Sequence, residues 1–247
     1  SAVAAVAAGS VASAAAAADS AAAARQEDGD SMKNLAQRFL NQAEYERIDS
    51  AVNAAESRTG GEIVCLIQPA SYHYPLANVI GAAFLSLPVA LVLAPLLGGY
   101  LWIGHYDLWL FLGIFGVLFA GGHWLLDRWP WLKRRFVSDR EIAEEVEEAA
   151  VTAFFRHGLY RTRDANGVLL FISVFEHKVW ILADHGINTK VPADQWEAIV
   201  ARLTAGIHRK ESATAICEAI AAIGKILENH FPARADDRNE LKNVIRE

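Results

Sequence analysis

Residues 76–104 read LANVIGAAFLSLPVALVLAPLLGGYLWIG, and residues 108–126 read LWLFLGIFGVLFAGGHWLL. Neither run contains Asp, Glu, Lys or Arg, and only His105-Tyr106-Asp107 separates them. The first run is long enough to cross a bilayer even when kinked by Pro88 and Pro95, and the second is about the minimum length. A single apolar run of this kind is compatible with a buried core helix. Two back to back predict a transmembrane hairpin occupying residues 76–127.

The flanks agree with that prediction. Tyr100, Trp102, Tyr106 and Trp109 crowd one end of the hairpin, and Trp124, Trp129 and Trp131 the other. Amphipathic rings collect at the two membrane–water interfaces. Arg128, Lys133, Arg134 and Arg135 follow the second span, whereas the 105–107 loop has no Lys or Arg. The positive-inside bias then puts the loop outside and both flanking halves in the cytoplasm. Along the first span Ala82, Ser86, Ala90, Ala94 and Gly98 recur every four residues, a stripe that admits a close neighbour. Gly116 and Ala120 of the second span are the expected contacts, with self-association through the stripe as the alternative.

Outside the hairpin the pattern is α/β. Asn41 with Glu44 predicts a capping box opening a helix, on which Ile48, Val52 and Ala55 form the apolar stripe. Thr59-Gly60-Gly61 ends it, and Glu62 to Ile67 is a nearly continuous apolar run, the pattern of a strand covered on both faces. After the hairpin, Ser138 with Glu141 predicts a second capping box and a helix carrying Ile142, Val146, Ala150 and Phe154 inward. Glu144, Glu145, Glu147 and Glu148 on that helix read as a solvated acidic face. Val168–Val174 and Val179–Ala183 read as a β-hairpin, followed by a helix starting at Pro192 and a last one capped by Ser212. A lone strand is not stable by itself, so Glu62–Ile67 must join the later strands in one sheet. An even number of spans between them satisfies that requirement.

The expected organisation is therefore a helix-covered mixed sheet interrupted by the hairpin. Its parts are residues 32–75, the hairpin 76–127, and residues 128–232. Residues 1–31, mostly Ala, Ser and Val before the chain's one methionine, Met32, read as a low-complexity extension outside the fold. Residues 233–247 form a charged tail, read as a short helix or disorder.

The chain has 247 residues, 53% of them hydrophobic, and a formal net charge of −6. That acidic balance excludes a sequence-independent grip on nucleic-acid phosphates as the main activity. Cys65 and Cys217 are far apart and lie in no Cys-x-x-Cys or Cys/His cluster, which excludes a disulfide framework and a zinc site of the usual spacing.

The segments Ser57-Arg58-Thr59-Gly60-Gly61-Glu62-Ile63-Val64, Asn166-Gly167-Val168-Leu169-Leu170-Phe171-Ile172-Ser173 and Lys178-Val179-Trp180-Ile181-Leu182-Ala183-Asp184-His185-Gly186-Ile187 resemble the TPM domain. This is an α/β fold of bacterial membrane proteins and of a thylakoid-lumen protein. The resemblance covers residues 41–67 and 139–230. It implies a bacterial inner-membrane protein and one of three roles: interaction or assembly factor for membrane complexes, calcium binder, or acid-phosphatase-like phosphomonoesterase. Family members often face the non-cytoplasmic side, against the local charge bias here.

The residues themselves supply little phosphatase chemistry. Cys65 lacks the downstream arginine of a cysteine-phosphatase loop, and no Gly-x-Ser-x-Gly elbow or phosphate-cradling Gly-x-x-x-x-Gly-Lys loop occurs. Oxygen donors at strand ends remain. Asp184 closes the second strand of the β-hairpin, and ligands of open α/β folds gather beyond strand C-termini. Asp184, with Asp164 and Asn166 of the Asp-Ala-Asn-Gly turn, is the candidate calcium set.

Overall fold

The structure is a computed structural model in which residues 38–72, 74–102, 108–233 and 244–246 are described. The expectations for residues 1–31 and for the 105–107 loop lie outside these residues. The chain divides into two compact units, residues 73–136 and residues 35–72 with 137–247.

In the larger unit, α1 spans Gln42–Glu56. Its capping box forms as expected: Asn41 Oδ1 accepts from Glu44 N at 2.9 Å, and Glu44 Oε2 accepts from Asn41 N at 2.7 Å. Thr59 then ties the exit of α1 to the far end of the chain, its Oγ1 donating to Phe231 O at 2.6 Å and accepting from Gly61 N at 3.1 Å. The strands are β1 (Glu62–Gln68), β2 (Gly167–Ser173) and β3 (Lys178–Ala183). A fourth strand, β4 (Val244–Arg246), lies within the charged tail where a helix or disorder was expected. Sheet order is β3-β2-β1-β4, with β1 parallel to both β2 and β4, and β2 antiparallel to β3.

The crossover from β1 to its parallel neighbour β2 contains the two apolar helices and then α5 (Asp139–Arg156). The apolar pair is thus an insertion inside one βαβ connection, and the strand before it does join the strands after it. Ile63, Cys65 and Ile67 of β1, with Val168, Leu170 and Ile172 of β2, share a core with α1, α7 (Ala193–His208) and α8 (Ser212–His230). Val64, Leu66, Leu169 and Phe171 alternate onto the opposite face and are equally buried, with α5 packed against β2 and β3. Both faces being covered is why these strands read as unbroken apolar runs. Three helix starts differ in detail from expectation. Ser138 makes no side-chain cap bond to α5, Pro192 is the N-cap residue rather than the first residue of α7, and Ser212 is the first residue of α8, whose N-cap is Glu211.

The smaller unit holds α2 (Pro75–Tyr100, 26 residues) and α3 (Leu108–Arg128, 21 residues), both long and apolar enough to cross a membrane. The short α4 (Pro130–Lys133) follows. Ala82, Ser86, Ala90 and Ala94 are buried, and Gly122 is the α3 residue at the close approach: a Cβ there would lie 3.4 Å from Ala82 Cα. Gly116, expected at this contact, faces open space. It lies six residues from Gly122, about 240° around the helix. At one end of the pair, Asn78 Nδ2 donates to Asp127 Oδ1, and His123 Nδ1 is 3.3 Å from Asp127 Oδ2. Polar contacts of this kind between apolar helices hold them in register.

Candidate functional site

Strand direction sorts the polar residues into two sets. Because β3 runs against β2, Ala183 is paired with Val168, so the end of β3 lies where β1 and β2 begin. Asp164, Asn166 and Asp184 do come to one end of the sheet, but it is the end from which the parallel strands start.

There Asn166 is largely occupied with holding the fold. Its Nδ2 donates to Gly60 O, its backbone N donates to Thr162 Oγ1 at 3.1 Å, and its carbonyl accepts from Glu62 N at 3.3 Å. Asp184 is the N-cap of α6 (His185–Asn188), its Oδ1 accepting from His185 N at 2.6 Å. Its Oδ2 is buried with no hydrogen-bond partner among the described residues. Asp164 is exposed. The loops carrying Asp164 and Asp184 are clamped together at Gly186, where a Cβ would sit 2.6 Å from Ala165 O and 2.7 Å from Asp164 O. Glu56, the last residue of α1, shares this end. Its carboxylate accepts from Ile63 N at 2.9 Å, while burial, helped by the charges of Glu62 and Asp49, pushes its pKa up to about 7.

The opposite end, beyond the C-termini of β1 and β2, has a different construction. Glu176, in the turn between β2 and β3, is fully buried. Its Oε1 accepts from Ser71 N at 2.9 Å and its Oε2 from Ser173 Oγ, while Ser71 Oγ donates to Ser173 Oγ at 3.0 Å. Val174 N to Gln68 O (3.0 Å) and Phe175 N to Pro69 O (2.9 Å) complete the joint. The segment leaving β1 is thereby fixed against the β2–β3 turn. Beside it opens a cleft of about 330 Å³, lined by Gln68, Ser71 and Tyr72 on one side and by Glu145, Glu148, Thr152 and Arg156 of α5 on the other.

Spacing explains the α5 wall. Positions 145, 148, 152 and 156 fall at i, i+3, i+7 and i+11, one face of a helix. Glu145 and Glu148 therefore converge, whereas neighbouring Glu144 and Glu147 diverge into solvent. The Glu145 carboxyl is held above its ordinary pKa, first by partial burial and then by the negative charges of Glu148, Glu141, Glu144 and Glu176. A positive group in the cleft would relieve that repulsion.

Sequence reasoning placed these glutamates on a solvated face. The i, i+3 pairing was the available signal, together with the rule that ligands gather beyond the ends of parallel strands. That rule points to this end once β3 is known to be antiparallel.

Neither thiol supplies a nucleophile at this site. Cys65 is fully buried in the middle of β1, and desolvation pushes its pKa up to about 12. Cys217 is on α8, its pKa also raised by burial. Among the described residues, no three His, Cys, Asp or Glu side chains converge as a metal centre of that kind would need.

Residues 135–226 match the family model described as the TPM domain. Over that stretch the chain matches a TPM domain. The match runs from just before α5 into α8, taking in β2 and β3, and the sheet pairing brings β1 into the same unit. Among solved structures, the chain is similar to the NMR structure of BA42 protein from the psychrophilic bacterium Bizionia argentinensis. That likeness has a TM-score of 0.51 at 18% identity, covering 85% of this chain and 96% of the other. It shows a shared fold. Among curated proteins, no sequence matches.

Proposed function

We propose that the protein is a membrane-anchored TPM-domain binding module, an interaction or assembly factor for membrane complexes, that receives a positively charged group in the Glu145–Glu148 cleft. The observation that carries this reading is the cleft itself: about 330 Å³ beyond the C-termini of two parallel strands, with two glutamates converging from one helix face. A rigid floor, fixed by Glu176, suits recognition because little ordering is needed when a partner docks. The two apolar helices supply the anchor. The basic residues 128–135 favour an inner-membrane orientation with the α/β unit in the cytoplasm.

The test is a thermal melt of the detergent-purified full chain with a lysine-rich peptide, calcium or magnesium, alongside the Glu145→Gln/Glu148→Gln variant. A ligand that binds only the folded state adds about 2.7 kcal/mol at a hundred times its Kd. Stabilisation of the parent by a cationic ligand, lost in the variant, is the expected result. No stabilisation by any of the three would overturn the reading. Hydrolysis of a phosphomonoester that disappears in the variant would replace it with the phosphatase alternative.

One observation favours a second reading. The buried, unpartnered Oδ2 of Asp184 is a ready ligand for a hard cation, and Asp164 is on the adjoining loop. A calcium-dependent rise in Tm that survives Glu145→Gln/Glu148→Gln but vanishes in Asp184→Asn would move the cation site to that end of the sheet.

A further inference from the structure

We propose that residues 128–135, which follow the second apolar helix, form a collar that binds the anionic headgroups of the bilayer surface. This inference rests on the membrane-anchored reading above.

Four cations occur in the segment, and the fold separates them. Lys133 is buried and Arg134 half-buried, whereas Arg128 and Arg135 are exposed and form no ion pair with a described residue. Of the acidic side chains described in this unit there is one, Asp127, and it is engaged by Asn78 and His123. Among the described residues of the unit, nothing of opposite sign therefore neutralises the two arginines.

The apolar half of the collar is equally exposed. Trp129 leaves helical geometry at φ −123°, ψ 87°, and Pro130 opens a new short turn, so the chain breaks from α3 at this point. The rings of Trp129 and Trp131 stack with centroids 6.4 Å apart, and Trp131 remains 71% exposed, with Trp124 at 64%. Exposed indoles belong at the headgroup level, where the ring enters the apolar boundary and the N–H stays wet. Indoles at that depth hold the neighbouring arginines beside the lipid phosphates, where each cation near an anionic surface is worth about 1 kcal/mol, or about fivefold in local lipid association. Charge complementarity selects anionic over zwitterionic lipid.

The full chain reconstituted into mixed phosphatidylcholine/phosphatidylglycerol vesicles provides the test, in two stages. Resistance to carbonate extraction establishes insertion; a chain that washes off overturns the anchor reading and this inference with it. Spin-labelled phosphatidylglycerol and phosphatidylcholine then report which lipid is held beside the inserted protein. Phosphatidylglycerol should be enriched about fivefold per engaged arginine at low salt, and the enrichment should shrink at high salt. Arg128→Gln/Arg135→Gln should lose it, and Arg128→Lys/Arg135→Lys should keep it. Equal association of the two lipids with inserted protein overturns the collar while leaving the anchor intact. So does enrichment that persists in the glutamine variant or disappears in the lysine variant.

Discussion

Replacing Glu56 by glutamine probes the electrostatics of the end where the parallel strands begin. The folded-state pKa is raised from 4.5 to about 7, chiefly by burial, while the Ile63 N–H held at 2.9 Å partly opposes the shift. Glutamine keeps an acceptor for that N–H and removes the charge. Because the folded pKa lies above the unfolded one, the protonated carboxyl's contribution is complete below about pH 4.5 and is lost as pH rises to about 7. A shift of this size corresponds to an upper bound of roughly 3 kcal/mol, which solvent screening of this half-buried group reduces to about 1–2 kcal/mol. For a unit of this size that is about 2–6 °C in Tm. Melts of parent and Glu56→Gln protein in detergent, from pH 4 to pH 8, should therefore coincide at the acid end. The variant should then become the more stable of the two between roughly pH 4.5 and 7. A difference that is constant across the range, or a variant less stable at every pH, would refute the assignment of a buried, charge-penalised carboxylate at this position.

Three further outcomes are expected. Asn41→Ala removes one half of the capping box that starts α1 and should cost about 1 kcal/mol, measured by chemical denaturation. Gly186→Ala should cost more, about 2 kcal/mol or above, because its Cβ would meet two backbone carbonyl oxygens within 2.7 Å rather than a movable side chain; a neutral effect would show that the two loops are not clamped. In thiol titration of the native protein Cys65 should stay silent, because it is fully buried with its pKa pushed up to about 12. Cys217 should react slowly, and both should react after denaturation.

Much of the fold is legible in local patterns. Asn41 and Glu44 state their capping box outright, since both partners lie within one turn. The runs 76–104 and 108–126 are visible because a bilayer span needs about twenty apolar residues in sequence, a purely linear signal. The apolar strand 62–67 implies two covered faces, and its need for partners implies an even number of intervening spans. Gly122 in place of Gly116 at the helix contact is another matter. Both are small residues in the same apolar run, and only the rotation of α3 against α2 chooses between them.

The site depended still more on tertiary structure. Asp184, Asp164 and Asn166 are candidates that the sequence offers one by one; the sheet places them at one end, and strand direction decides which end that is. A sequence pattern gives the alternation of a strand and not the sense in which it joins its neighbour. Once β3 is antiparallel and β1 lies parallel to β2, the C-termini of the parallel pair point to Glu145 and Glu148. Both stay open to solvent, as a linear reading has them, and only the fold shows that they border one groove. β4 is a similar case: three residues in a charged tail carry too little apolar pattern to announce a strand, and β1 supplies the edge on which they pair. By itself the sequence determined the elements and the apolar insertion, because those signals are periodic and local. The tertiary structure alone decided register, direction and convergence, because each depends on residues about a hundred positions apart, such as Ser71 and Glu176, meeting in space.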